Sequence, residues 1–299
     1  MIKLKTFGSF TVGNGLTSVQ EGAWRSEKLE KLFVYLAMNR NRGVCIEDIS
    51  EAIWQVEEET DNPVGALKNL AYRLRKALRD ASFGEECIVS VRGGLYKWND
   101  DVEVTIDVEE FDRYINEAEM AFCRSKETAI ESYEKAIALY HGDFLPLRTD
   151  THWFMTLNAF YHSRYVNTVK ALAKLYIDTG CYEKLEQLCT RAIVYERSDE
   201  QIYSYLIVAR MRTKKVQMAF DTYETAKAIM DKDLGVRKTV MLNKVYEELL
   251  SVTKGVSSYN IDEVKDDISE ESMEGVFMCG YPVFKLSLIH ISEPTRLDV

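Results

Sequence analysis

The sequence predicts a multidomain protein, an α+β unit over residues 1–100 followed by an all-α unit over 105–250. Three observations carry this reading. Apolar and polar residues alternate in "IKLKTFG", "FTVG" and "CIVSVRGGLYKW", which marks strands at both ends of the first hundred residues. Between those strands, apolar residues recur at three and four, the helical period. From 107 to 250 no convincing strand interrupts that period, and between 172 and 230 the sequence repeats at an offset of 34 residues.

The bounds agree with such a chain. With 299 residues and 46% hydrophobic content, two or three cores form without staples. The six cysteines contain no C-x-x-C pair, which points to a reducing compartment, and the cytoplasm is the expected location. "MIKLKTFGSF" has no signal-peptide pattern, and no run of about 18 apolar residues is available to span a bilayer, so no membrane partner is expected. The net charge of −10 is unevenly spread. Residues 1–100 balance fourteen Lys and Arg against fourteen Asp and Glu, and the acidity lies downstream.

In chain order, the opening strands turn at "GNG". Ser26 then precedes "EKLEKLFVYLAMN" as an N-cap, with Leu29, Leu32, Phe33 and Leu36 on one stripe. "CIEDISEAIW" gives a shorter helix burying Ile46, Ile49 and Ile53. Asn62 and Pro63 open a third helix, "ALKNLAYRLRKALRD", whose core stripe is Leu67, Leu70, Ala71, Leu74 and Leu78. Its other face is cationic in an acidic protein. Lys68, Tyr72, Arg75 and Arg79 align one turn apart, flanked by Asn69, Arg73 and Lys76. A hairpin around Gly93 and Gly94 follows, with Arg92 beside its tip.

Strands, three helices and a hairpin form a winged-helix layout, in which the third helix enters the major groove and the hairpin reaches alongside. A cationic face of this kind neutralises phosphates, and Asn and Arg suit base edges. The bland alternative is a solvated helix face. "WRSEKLEKLFVYLAMNRNRGVCIEDISEAIW", "ALKNLAYRLRKAL" and "VRGGLYKW" resemble the OmpR/PhoB-type winged helix of SARP-like transcriptional regulators, over almost all of residues 1–100. In one departure, Leu95 separates Gly94 from Tyr96, where the family commonly has an adjacent Gly-Tyr pair.

The middle of the chain begins with "DVEEFDRYINEAEMAF" and "KETAIESYEKAIALY", breaks at "HGDFLP", and resumes as helix from about Trp153. The offset of 34 aligns Leu172 with Leu206, Tyr182 with Val216 and Ala192 with Ala226, which is the tetratricopeptide period. Gly180 meets Lys214 in that alignment, a mismatch. "LYHGDFLP", "HW", "GCYEKLEQLCTRAI", "YETAKAIMDKDLGV" and "VYEELL" resemble the bacterial transcriptional activation domain over roughly 105–250. The expected fold class is therefore an α+β winged helix followed by an all-α tetratricopeptide-like helical repeat domain.

Enzyme signatures are missing from the reading. "FGSFTVGNG" lacks the spacing of a dinucleotide loop and no P-loop Lys is present. His141, His152, His162 and His290 lack metal-ligand spacing, and Cys181 and Cys189 read as packed thiols, so neither a metal nor a cofactor is expected. Trp153, Leu157, Phe160 and Tyr161 are expected in the core rather than around a ligand. Residues 251–275 read as an acidic flexible linker and 276–286 as the start of a truncated third domain. "LSLIHISEPTRLDV" resembles translated sequencing-adaptor DNA, which makes 287–299 a non-native tail.

The family resemblance implies a non-enzymatic, sequence-specific regulator of transcription that acts at promoters, as an activator. Its implied partners are double-stranded DNA, RNA polymerase and further copies of itself on DNA. The expected DNA contacts are Lys68, Asn69, Tyr72, Arg73, Arg75, Lys76, Arg79 and Arg92. Two rivals remain at this point: a protein-binding adaptor without DNA affinity, and the regulatory part of an enzyme truncated at its C-terminus.

Overall fold

A computed structural model describes residues 1–54, 62–83, 87–91, 94–233 and 239–253. Arg92, residues 254–275 of the expected linker, and the expected third-domain start and tail lie outside the described residues, while 251–253 of that linker are helical. The chain opens as β1 (Ile2–Lys5), which pairs antiparallel with β2 (Thr11–Gly13), and β2 pairs antiparallel with β3 (Ser18–Gln20). Period-two alternation puts Ile2 and Leu4 inside and Lys3 and Lys5 outside. Three helices follow: α1 (Glu27–Met38), α2 (Ile46–Ile53) and α3 (Pro63–Asp80). The hairpin is β4 (Ile88–Val91) with β5 (Leu95–Trp98), antiparallel with Ile88 opposite Trp98. On its other side Tyr96 exchanges backbone hydrogen bonds of 2.8 and 2.9 Å with Val44, so the segment before α2 fastens the hairpin.

Phe33 sits at the centre of this half. Its ring meets Phe10, Trp24 and Trp98 edge-on at centroid distances of 5.4 to 6.2 Å. The expected stripe of α1, Leu29, Leu32, Phe33 and Leu36, is buried. In α2, Ile49 and Ile53 are buried and Ile46 is half-buried.

A short strand not expected from the sequence, β6 (Val104–Ile106), pairs in parallel with β1 and leads straight into α4 (Asp107–Phe122). The sheet order is β3-β2-β1-β6, so the entry to the helical half belongs to the sheet of the first half. Then come α5 (Lys126–Leu139), a single 3-10 turn at Pro146–Arg148, α6 (His152–Thr179), α7 (Tyr182–Tyr195), α8 (Glu200–Arg212), α9 (Val216–Asp233) and α10 (Val240–Thr253).

The repeat is visible in the packing. Leu172 on α6 and Leu206 on α8 are buried, and Ala192 on α7 and Ala226 on α9 both have 0% exposure, as close helix approach requires. Gly180 and Lys214 close α6 and α8 in the same left-handed conformation, φ 71° and 62°. Each closure has the same pair of hydrogen bonds: Cys181 N to Tyr176 O and Gly180 N to Ile177 O in the first copy, Lys215 N to Arg210 O and Lys214 N to Met211 O in the second. The mismatch in sequence is thus a match in conformation. Cys189 is fully buried with its thiol pushed up by burial, while Cys181 is half-buried; both are free thiols.

The two halves are packed together within one unit, Met1–Leu249. Asp107, the first residue of α4, accepts from Thr6 N at 2.7 Å, Phe7 N at 2.9 Å and Thr6 Oγ1 at 2.6 Å. Burial pushes its carboxyl up, and these donors to the carboxylate oppose that. Gly8 donates to Asp143 O at 2.9 Å, and a Cβ on Gly8 would lie 2.6 Å from the His141 carbonyl oxygen, so glycine is needed where the halves touch. From α1, Lys31 pairs with Asp150, and Glu30 receives Arg148 Nη2 at 2.5 Å. Arg40 Nη2 reaches Glu109 Oε2 at 2.7 Å, Thr151 Oγ1 donates to Ala52 O at 2.8 Å, and Tyr35 meets Trp153 edge-on at 4.9 Å.

One histidine has a structural task. His162 on α6 lies between Asp143, 2.8 Å from Nδ1, and Glu196, 3.0 Å from Nε2. The hydrogen bond with Asp143, helped by Glu196 and opposed by burial, raises the imidazole pKa to about 9. The aromatic run needs one correction. Leu157 and Tyr161 are buried as expected, Trp153 is half-buried against α1, and Phe160 is 42% exposed. Helical spacing marks the run as apolar, but the inward direction falls on Phe154, Leu157 and Tyr161 and leaves Phe160 outside.

Candidate nucleic-acid interface

The geometry of α3 follows from its sequence. The Asn62 side chain accepts from Gly65 N at 2.9 Å, and Pro63 sits where its missing N–H costs nothing. A Cβ on Gly65 would come within 2.6 Å of the Asn62 amide nitrogen, so the cap and the glycine go together. At the other end, Ser82 turns left-handed at φ 60° and Phe83 N bonds to Leu78 O at 2.9 Å. The β2–β3 turn docks there: Asn14 Nδ2 donates to Ser82 O at 3.0 Å and Thr17 Oγ1 to Ala81 O at 2.9 Å. Those two side chains, silent in the sequence reading, hold the last turn of α3 against the sheet.

Leu67, Leu70, Ala71, Leu74 and Leu78 are all buried, which fixes the rotation of α3 about its axis. At about 100° per residue, Asn69, Tyr72 and Lys76 then fall opposite the core. Lys68, Asn69, Tyr72, Arg73, Lys76 and Arg79 are exposed, Tyr72 at 66%. Among the described residues, no hydrogen bond or ion pair ties the side chains of Lys68, Tyr72, Arg73 or Lys76 to a neighbour. Arg75 differs. It is half-buried, and its Nε donates to Ile88 O on β4 at 3.0 Å. Six of the eight expected contacts therefore share one exposed surface, Arg75 leans onto the hairpin, and Arg92 lies outside the described residues.

This surface carries an electrostatic cost. Arg73 with Lys76, Lys76 with Arg79, and Arg75 with Arg79 stand three or four residues apart, and like charges at that spacing destabilise a helix by about 0.2–0.5 kcal/mol each. A bound polyanion turns that repulsion into attraction.

Known proteins align with both halves. Residues 106–250, just under half of the chain, match the bacterial transcriptional activator domain. The transcriptional regulator RedD of Streptomyces coelicolor is 23% identical over 238 residues, which is 79% of this chain and 67% of RedD. Among solved structures, Mycobacterium tuberculosis EmbR, in complex with a low-affinity phosphopeptide, superposes with a TM-score of 0.66 at 18% identity, covering 89% of this chain and 68% of EmbR. The chain thus shares the fold of EmbR across both halves, and its helical part is similar to a bacterial transcriptional activator domain.

Proposed function

We propose that this protein is a sequence-specific, DNA-binding transcriptional regulator of the SARP-like type, acting at promoters, with α3 in the major groove and the β4–β5 hairpin alongside. The observation that carries this is the row of exposed cations on α3 of an acidic chain, of which Lys68, Arg73 and Lys76 have no partner among the described residues. Lys68, Arg73, Lys76 and Arg79 hold phosphates, while Asn69 and Tyr72, on the outermost ridge, face the base edges. Support comes from the helical half, similar to a bacterial transcriptional activator domain, and from the likeness to RedD, a transcriptional regulator. That half serves for self-association on DNA, for contact with RNA polymerase, or for sensing.

Binding of the full chain to the DNA upstream of its own gene, measured across a salt series beside random DNA, tests the proposal. Four phosphate contacts give a slope of log K against log salt of about −4, roughly 0.9 per contact. The expected result is that slope together with a preference for the promoter. A flat response, equal on both DNAs, contradicts it and leaves a solvated helix face.

A further inference from the structure

Arg75 belongs to the cationic face by sequence but not by environment. It is half-buried, where Lys68, Arg73, Lys76 and Arg79 are exposed. Its Nε donates to the carbonyl of Ile88, which is 2% exposed and begins β4. Among the described residues the hairpin sheet consists of β4 and β5, so Arg75 binds the backbone of the strand whose sheet neighbour there is β5. Its charge also acts on the phenol of Tyr96, countering the burial that pushes that group up. Tyr96 is the residue through which β5 joins Val44. One side chain of α3 therefore engages both strands of the hairpin.

On the reading of α3 as a DNA-entering helix, we propose that Arg75 is a positioning residue. It clamps the hairpin to α3 and sets the distance between the helix in the groove and the hairpin beside it, while the exposed cations hold the phosphates.

The test compares the full-length wild type with Arg75→Ala, Arg75→Gln and Lys76→Ala on the promoter DNA across a salt series, with Tm and amide exchange of β4 in free protein. Gln places an N–H donor at the same number of bonds from the backbone as the Arg Nε but carries no charge. Arg75→Ala should weaken DNA binding about tenfold, the scale of one charge-assisted hydrogen bond, with the salt slope unchanged and β4 exchange faster. Arg75→Gln should restore affinity to within about twofold of wild type, and Lys76→Ala should reduce the slope by about 0.9. A Gln variant as weak as Ala, with the slope reduced by about 0.9, would make Arg75 a phosphate contact and overturn the proposal. So would an Arg75→Ala protein with lower Tm but unaltered DNA affinity, because that effect is purely structural. A wild type without DNA affinity overturns the reading of α3 itself, an outcome distinct from both.

Discussion

The cations of α3 and those at the junction of the two halves are the same residue types put to opposite uses. At the junction Lys31 and Glu30 are each 2% exposed, and Arg148 reaches Glu30 and Glu21 from the 3-10 turn before α6. Along the helical half, Lys126 pairs with Asp178, Lys170 with Asp199, Lys184 with Glu134, and Lys215 with Glu186. On α3, Lys68, Arg73 and Lys76 have no such partner among the described residues. Paired and buried charge fixes one geometry within the protein, because breaking it strands a charge away from water. Unpaired exposed charge costs little to keep hydrated and remains available to an outside anion. Composition alone cannot separate these roles; the partner decides.

Removing one partner at the junction should give the largest effect. Arg148→Ala leaves the Glu30 carboxylate buried with, among the described residues, one backbone donor, Gly22 N at 2.8 Å. We expect a loss of about 3 kcal/mol, seen in thermal unfolding as a Tm lowered by roughly 10 °C for a unit of this size. A change below about 1 kcal/mol in denaturant titrations would place that pair with ordinary surface salt bridges and erase the contrast.

His162→Gln is next. The folded-state pKa lies above the ordinary value near 6.5, so the clamp contributes fully at pH below that value and fades as pH rises through about 9. The imidazole is 26% exposed, so we discount the shift to about 2 kcal/mol. Stability curves of wild type and variant at pH 6 and pH 10 should converge at the alkaline end; equal differences at both would deny the charge a role.

Lys214→Gly should produce the smallest change and the opposite sign. The left-handed backbone costs a non-glycine residue about 1–2 kcal/mol, part of which the greater chain entropy of glycine offsets. A net gain of about 0.5 kcal/mol in denaturant midpoints is expected, and a loss would indicate that the lysine side chain contributes more than its backbone costs.

Much of this could be read in the sequence, and its failures have physical causes. The core stripe of α3 is legible because five apolar residues repeat at one period, and its N-terminus because Asn62 and Pro63 signal it directly. Strand β6 was missed because three residues carry little periodicity and its partner lies about a hundred positions back, a pairing that only tertiary structure specifies. Spacing assigned Arg75 to the outward face, yet the hairpin approaches from that flank and takes its hydrogen bond. Lys214 breaks the repeat in residue identity, while both copies have the same left-handed backbone turn at that position. His162 lacked a sequence signal because Asp143 and Glu196 come from two separate turns of the chain.

The contrast between paired and unpaired cations is tested by the salt dependence of promoter binding for the wild type and the Lys68→Ala, Lys76→Ala double variant, each with its Tm. The expected result is a wild-type slope of about −4 reduced by about two, with stability unchanged within about 0.5 kcal/mol because neither side chain has an internal partner among the described residues. Equal slopes in the two proteins, or a variant that loses stability instead of DNA affinity, would contradict the assignment of α3 to DNA.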